Sequence, residues 1–369
     1  MQVNFCDLSS ETDAIRAELM QAVGRVVSSG RFILGQELDA FETQFKAFCS
    51  CQYAIGVASG TDALFLSLKA IDVGPGHEVI TVANTFAATA LAVVYTGATP
   101  VFVDIEKDSH LIDPDRIEDA ITDKTRAIIP VHLYGQCADM GPIMDIADRH
   151  GLYVIEDACQ AHGATYHHQS ASGRAGSMGH MAAFSFYPTK NLGACGDAGI
   201  ITTRDEALNR RLRLLRNYGQ ADRYHYGIPG YNSRLDEIQA AILRVKLGYL
   251  EGYIRSRRRI ASIYNKGLIG IDHTIRKETT ISGHVYHLYV IQVDKRDSLQ
   301  GFLADKDIDT LIHYPVPLHR QKAFNSAKTP RDLVETQRRA DTILSLPMYP
   351  VLRDKDIEYV IENIRGFFD

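Results

Sequence analysis

Three short segments of this 369-residue chain put chemically capable residues where a fold can present them. In Phe184-Ser185-Phe186-Tyr187-Pro188-Thr189-Lys190-Asn191-Leu192-Gly193, a lysine sits on a proline- and glycine-bounded loop after a short aromatic strand. Its amine can form an imine with an aldehyde if the surroundings lower its pKa, and Ser185 can offer a hydroxyl to a phosphate. Taken alone, a loop lysine is usually a solvated charge. In Leu152-Tyr153-Val154-Ile155-Glu156-Asp157, an apolar strand runs into two carboxylates. Open α/β sheets bind ligands at the carboxyl ends of their strands. A carboxylate there can keep a pyridine nitrogen protonated, although Asp157 can equally cap a helix. In Ala58-Ser59-Gly60-Thr61-Asp62-Ala63-Leu64, small and hydroxyl residues precede the helical pattern of Leu64, Leu68 and Ile71. Free N–H groups at such a helix start bind phosphate, and a plain N-cap has the same composition. Phe86, just past the run Val79 to Val82, can stack on a flat ring or pack in the core.

The elements around these segments alternate. Helical spacing marks 13–28 and 38–49. The stretch 78–102 reads strand, helix (86–95), strand. Further strands are predicted at 127–131 and 152–155, separated by a helix at 141–149. Buried strands alternating with helices predict a mostly parallel α/β sheet covered on both faces. A long helical pattern at 235–259 changes the character of the chain. Beyond it come a strand at 287–291, a helix at 298–305 and a closing helical pattern at 361–365. This predicts a large domain over 1–245 and a smaller α+β domain over 246–369.

A formal net charge of -5 argues against a nucleic-acid binder. The basic run at 255–259 reads as a solvated helix face. None of the six cysteines forms a C-x-x-C pair, which excludes the usual zinc and redox motifs and fits reduced thiols in a cytoplasmic protein. The first residues do not have the pattern of a signal peptide, and no apolar run is long enough to span a bilayer. His284 and His287 suggest a metal pair, but without a third ligand an exposed strand is the expectation.

Taken together, these segments resemble the sugar aminotransferases of the DegT/DnrJ/EryC1/StrS group, which belong to the fold type I pyridoxal 5'-phosphate (PLP) enzymes. The resemblance covers nearly the whole chain. It runs through 35–38, 59–64, 76–80, 156–163, 184–193, 230–235 and 313–315. It implies the type I fold, with a mostly parallel seven-stranded sheet in the large domain. It also implies that Lys190 holds PLP as a Schiff base and that Asp157 pairs with the pyridine nitrogen. Gln160 matches the residue near the ring hydroxyl, and Phe86 matches the stacking aromatic. Gly60, Thr61 and Ser185 match phosphate ligands. Asn232 matches a phosphate ligand that comes from the other subunit, which implies a homodimer with shared active sites. Cys159, Cys195 and His180 depart from common family residues without removing a catalytic group. Relatives that dehydrate rather than aminate carry histidine in place of the lysine, so Lys190 speaks against that branch.

The resemblance also implies a two-half transamination, from L-glutamate (leaving 2-oxoglutarate) to a nucleotide-linked keto sugar. The segment 312–319 and Tyr187 resemble the branch that aminates C3. A dTDP-linked 3-keto-6-deoxyhexose is expected first, then a UDP-linked 3-keto or 4-keto sugar. Arg223, Tyr224, Arg234, His313 and Tyr314 join Tyr187 as candidate substrate contacts, with surface or interface packing as the alternative. A non-catalytic PLP-binding regulator would keep Lys190 and Asp157, but it normally brings a DNA-binding module, and none is visible. A dinucleotide-dependent dehydrogenase would need G-x-G-x-x-G after the first strand, and 73–78 does not supply it.

Overall fold

The computed structural model describes residues 1–168, 172–271, 274–275 and 282–369. Three helices open the chain: α1 (Leu8–Asp13), α2 (Arg16–Ser29) and α3 (Gln36–Cys49). The alternating region follows as β1 (Tyr53–Val57), α4 (Gly60–Ala70), β2 (Glu78–Val82), α5 (Ala87–Tyr95), β3 (Thr99–Val103), β4 (Thr125–Ile128), α6 (Met140–His150) and β5 (Tyr153–Asp157). Next come β6 (Thr165–His167), β7 (Ser172–Arg174), β8 (Met181–Ser185), β9 (Gly199–Thr203), α7 (Glu206–Leu215), β10 (Gln220–Asp222) and β11 (His225–Tyr226). The rest comprises α8 (Glu237–Gly267), β12 (Thr274–Ile275), β13 (Ser282–Gly283), β14 (Tyr289–Gln292), α9 (Arg296–Ala304), α10 (Val334–Thr342), β15 (Ile343–Leu346) and α11 (Asp354–Phe368).

Seven strands form the main sheet in the order β1-β9-β8-β5-β4-β2-β3, and only β9 runs against the others. This is the mostly parallel seven-stranded sheet expected. Because side chains alternate across a strand, successive residues enter opposite layers. Val154, Ala182 and Ile200 face α3 and α8, where Phe41, Phe45 and Leu243 pack. Ile155, Ala183 and Ile201 face α4 and α7, where Leu64, Leu68 and Leu212 pack. Phe45 meets Phe184 edge-on, ring centroids 5.0 Å apart, which fixes α3 over the end of β8. The predicted strand at 127–131 ends at Ile128, since Pro130 has no N–H for the ladder.

A second core lies between β14, β15, α9, α11 and the last turns of α8. Helix α8 runs to Gly267 rather than Arg259 because Ile260, Tyr264 and Leu268 are buried in that core. It therefore serves both cores, and the predicted division after residue 245 falls inside it. Val3 joins the second core too, bridging in parallel to Ile308.

Two sequence expectations are corrected. The basic run of α8 is not a wholly solvated face: Arg257 is buried and donates to the carbonyls of Tyr286 (3.0 Å), His287 (3.3 Å) and Met348 (2.9 Å). Three backbone acceptors meet its guanidinium, which makes that burial tolerable. His284 and His287 are buried rather than exposed on a strand. His284 accepts from Tyr286 N and stacks on the Tyr286 ring at 4.0 Å. Among the described residues, no group of three or more side chains could hold a metal ion, and no helix is long and apolar enough to cross a membrane.

Candidate active site

Parallel strands end at one edge of a sheet, so β1, β2, β5 and β8 deliver the residues that follow them to a common place. Strand alternation then sorts the two carboxylates of β5. Glu156 is fully buried and accepts from His132 Nε2 (2.9 Å) and from the N–H groups of Gly176 (2.8 Å), Met178 (2.8 Å) and Gly179 (2.7 Å). Burial pushes its pKa up, but the His132 bond and these N–H donors outweigh it and hold the carboxyl below its usual range. Glu156 is thus a structural hub. Asp157, one residue on, accepts from Thr89 Oγ1 at 2.7 Å and from Cys159 N at 3.2 Å. Thr89 in turn lies 3.0 Å from Thr85 Oγ1. Asp157 caps no helix; it is aimed by the first turn of α5.

Lys190 lies on a loop closed by Phe186, which donates to Ala198 O and accepts from Ala194 N, each at 2.8 Å. Gly193 is required there, because a Cβ at that position would sit 2.2 Å from Pro188 O. The neighbouring Asn191 donates to Val285 O at 3.1 Å and lies 3.3 Å from His287 Nδ1. Arg257 grips the next two carbonyls, so α8 fixes the lysine loop through 285–287. Desolvation lowers the Lys190 pKa, with Cys159 and the Asp157 carboxylate pulling it back up. The amine is therefore no solvated surface charge.

The start of α4 forms a cradle. Ser59 Oγ caps it, accepting from Asp62 N at 3.1 Å. The N–H groups of Gly60 and Thr61 precede the first intrahelical acceptors and point outward. Both readings of this segment hold at once: Ser59 is a plain N-cap, and the cradle is available besides. A Cβ on Gly60 would come 2.6 Å from Ser185 Cβ and 3.1 Å from Cys159 Sγ. Only glycine lets the helix start this close to the Ser185 hydroxyl and the lysine loop. Phe86 is 58 % exposed with its ring 6.0 Å from Tyr314, so it is not a core residue and its face is open to a flat ligand. A desolvated amine, an oriented carboxylate, an anion cradle and an open aromatic face suit a planar, phosphorylated aldehyde.

Gln160 is buried, accepting from Tyr134 N at 2.8 Å and donating to Tyr314 OH at 3.1 Å. Burial raises the Tyr314 pKa, so that hydroxyl stays protonated. His313 places Nδ1 2.9 Å from Ser345 Oγ, stacks on Phe5 at 5.7 Å and accepts through its carbonyl from Tyr134 OH. Burial, then the Lys190 charge, brings its pKa down to about 4, leaving a neutral imidazole at pH 7. Tyr187 is exposed on the lysine loop. Arg223, Tyr224, Asn232 and Arg234 lie elsewhere, on and after the β10–β11 hairpin. Arg223 rests on the Tyr224 ring at 5.2 Å, and Arg234 donates to Asn217 at 3.1 Å. Among the described residues, none of these four bonds to Lys190, Asp157 or their partners within the chain.

Thr89, Phe5, Tyr134 and His162 belong to this neighbourhood and were not singled out from sequence as site residues. Thr89 carried a signal, standing at i, i+4 from Thr85 and one turn past Phe86. Phe5 carried none, since it meets His313 only through the fold.

Comparison with known proteins fits this geometry. The model of the DegT/DnrJ/EryC1/StrS aminotransferase family matches residues 13–365. The chain is 45 % identical to a pleiotropic regulatory protein of Geobacillus stearothermophilus, covering 100 % of this chain and 99 % of that one. It is 44 % identical to a dTDP-3-amino-3,4,6-trideoxy-alpha-D-glucose transaminase of Streptomyces venezuelae (99 % and 96 % covered). Identity is also 44 % to a UDP-N-acetyl-3-dehydro-alpha-D-glucosamine 3-aminotransferase of Acidithiobacillus ferrooxidans (98 % and 97 %). Among solved structures, S. venezuelae DesV in complex with a ketimine intermediate superposes with a TM-score of 0.96 at 44 % identity, covering 100 % of this chain and 99 % of that one. Bacillus subtilis NtdA with bound cofactor PMP superposes with a TM-score of 0.91 at 32 % identity (100 % and 85 %).

Proposed function

The chain belongs to the DegT/DnrJ/EryC1/StrS aminotransferase family, and from that premise we propose that it moves an amino group from L-glutamate to the ketone of a nucleotide-linked sugar, using PLP held on Lys190. The observation that carries this reading is the desolvated Lys190 amine beside the Asp157 carboxylate, at the edge where the α4 N-terminus and Ser185 form an anion cradle. Gly60, Thr61 and Ser185 would hold the phosphate, Phe86 the ring face and Gln160 the ring hydroxyl. Asn232 of the second subunit would complete the phosphate site.

When bound, the cofactor supplies an electron sink for the carbanion formed at the substrate carbon. Lys190 does the proton work: its Nζ takes the proton from the glutamate α-carbon in one half-reaction and returns one to the former ketone carbon of the sugar in the other. Its lowered pKa raises the fraction of free base available for this. Asp157, held by Thr89, keeps the pyridine nitrogen protonated. His313 and Tyr314, neutral at pH 7, offer hydrogen bonds to the sugar without adding charge beside Lys190.

A dTDP-linked 3-keto-6-deoxyhexose is the preferred acceptor and a UDP-linked 3-keto sugar the second, since relatives named for dTDP-3-amino sugars stand at 44 to 45 % identity and those named for UDP-sugars at 44 and 40 %. The test is the visible absorbance of the protein with PLP, before and after glutamate, in wild type and Lys190→Ala. A band that glutamate bleaches, absent from Lys190→Ala, supports the reading. A glutamate-insensitive band turns it toward a non-catalytic binder. Adding each nucleotide keto sugar to the bleached protein then identifies the acceptor by the return of the band.

A further inference from the structure

Asn232 is exposed, yet the residue after it is buried and hydrogen-bonded on two sides. Ser233 is 2 % exposed; its hydroxyl donates to Asp62 Oδ2 at 2.6 Å and accepts from Ala58 N at 3.2 Å. Asp62 is the residue whose N–H the Ser59 cap holds at 3.1 Å, in the first turn of α4. The serine therefore sits on the rim of its own subunit's anion cradle, one residue from the side chain offered to another subunit. The far end of the segment is pinned as well. Glu237 accepts from Gly35 N (2.9 Å), Glu37 N (2.9 Å) and Leu38 N (3.0 Å), tying the start of α8 to the start of α3. Between these anchors 232–236 has little freedom, and a shift of the α4 rim is transmitted to Asn232.

We infer that Ser233 is a positioning residue for two cofactor phosphates at once, its own subunit's through Asp62 and the partner subunit's through Asn232. This rests on the shared-site homodimer proposed above. Ser233 holds Asp62, and with it the first turn of α4 on which an anion would settle. The same serine fixes the segment that carries Asn232, so its loss is felt at both sites.

Cofactor-free protein titrated with PLP, followed by the lysine-bound absorbance, tests this. Ser233→Ala is expected to raise the PLP dissociation constant about tenfold, the loss of one hydrogen bond to a charged group. It should leave affinity for pyridoxal, which lacks the phosphate, within about twofold, and Ser233→Thr should restore PLP affinity. A purely structural role would weaken both ligands alike, and that result would overturn the inference. Two hybrid dimers separate the arms. Pairing a Ser233→Ala chain with a Lys190→Ala chain reports the site whose own serine is lost. Pairing wild type with a Ser233→Ala/Lys190→Ala chain reports the site that only receives its Asn232 from the altered chain. Weakening in both is expected, and weakening in the first alone, or in neither, sinks the dual role. Sedimentation of the wild type as a monomer would instead remove the homodimer reading itself.

Discussion

At the scale of single residues, burial sets the protonation of the imidazoles around Lys190. His162 lies among the rings of Phe184 and Phe186, with centroids 5.3 and 5.6 Å away. Burial, and then the Lys190 charge, takes its pKa from an ordinary 6.5 down to about 3. Its sign in folding follows directly. The unfolded chain binds the proton more readily, so the stability His162 contributes is complete above pH 6.5 and is lost as pH falls toward 3. Between pH 7 and 5 this one residue removes about 2 kcal/mol. Urea unfolding of cofactor-free protein at the two pH values should show the loss. In His162→Phe the drop over that interval should shrink by about that amount, whatever the variant's absolute stability; an unchanged drop would mean that His162 is protonated or solvated in the fold. Residue identity also explains what could be read early. Lys190, Asp157 and Gln160 stand in a contiguous, ordered set of motifs. Thr89 and Phe5 act by aiming Asp157 and stacking on His313, which are contacts that local spacing does not encode.

At the scale of elements, the decisive feature is how closely α4 starts against β8. The helix was legible from Leu64, Leu68 and Ile71, and its cap from Ser59. Its distance from Ser185 was not, because that gap depends on sheet order: β8 lies two places from β1, across β9, which joins out of sequence. The same limit applies to the corrected elements. Arg257 looked solvated because its neighbours in the basic run are charged, but the carbonyls it holds come from segments that only the tertiary fold brings to α8. Gly60→Ala tests the close approach. The added methyl would meet Ser185 Cβ at 2.6 Å and its backbone Cα at 3.1 Å, so the helix start or the lysine loop has to shift by several tenths of an ångström. Small displacements of an anchoring group cost orders of magnitude in a positioned site. PLP affinity is expected to fall at least about tenfold, and because Gly60 is buried the overpacking should also cost about 1–3 kcal/mol of stability, read from urea unfolding. Full retention of PLP affinity would place the phosphate elsewhere.

At the scale of the whole molecule, exposed apolar and aromatic side chains gather before α3 and around the β10–β11 hairpin. Phe32, Ile33 and Leu34 before α3 are exposed, as are Tyr218, Tyr224 (71 %), Tyr226 and Tyr231 around β10 and β11. Aromatic side chains clustered with arginine and held away from the protomer's own core are typical of surfaces that meet a partner. Asn232 is exposed in this region although Ser233 beside it is bonded to the first turn of α4; under the homodimer proposed above, the phosphate site is divided between two subunits. The division makes a specific prediction. Lys190→Ala and Asn232→Ala should each be impaired alone, the first in covalent binding and the second in phosphate affinity. After the two chains are mixed and allowed to exchange, half of the dimers are hybrids. In each hybrid, the Asn232→Ala chain keeps Lys190 and receives Asn232 from its partner. That site is intact and the other is doubly impaired, so about a quarter of all sites should regain wild-type PLP affinity and glutamate bleaching. If affinity stays at the level of the separate variants although exchange is complete, Asn232 acts within its own chain, and the hairpin surface serves only to hold the dimer together.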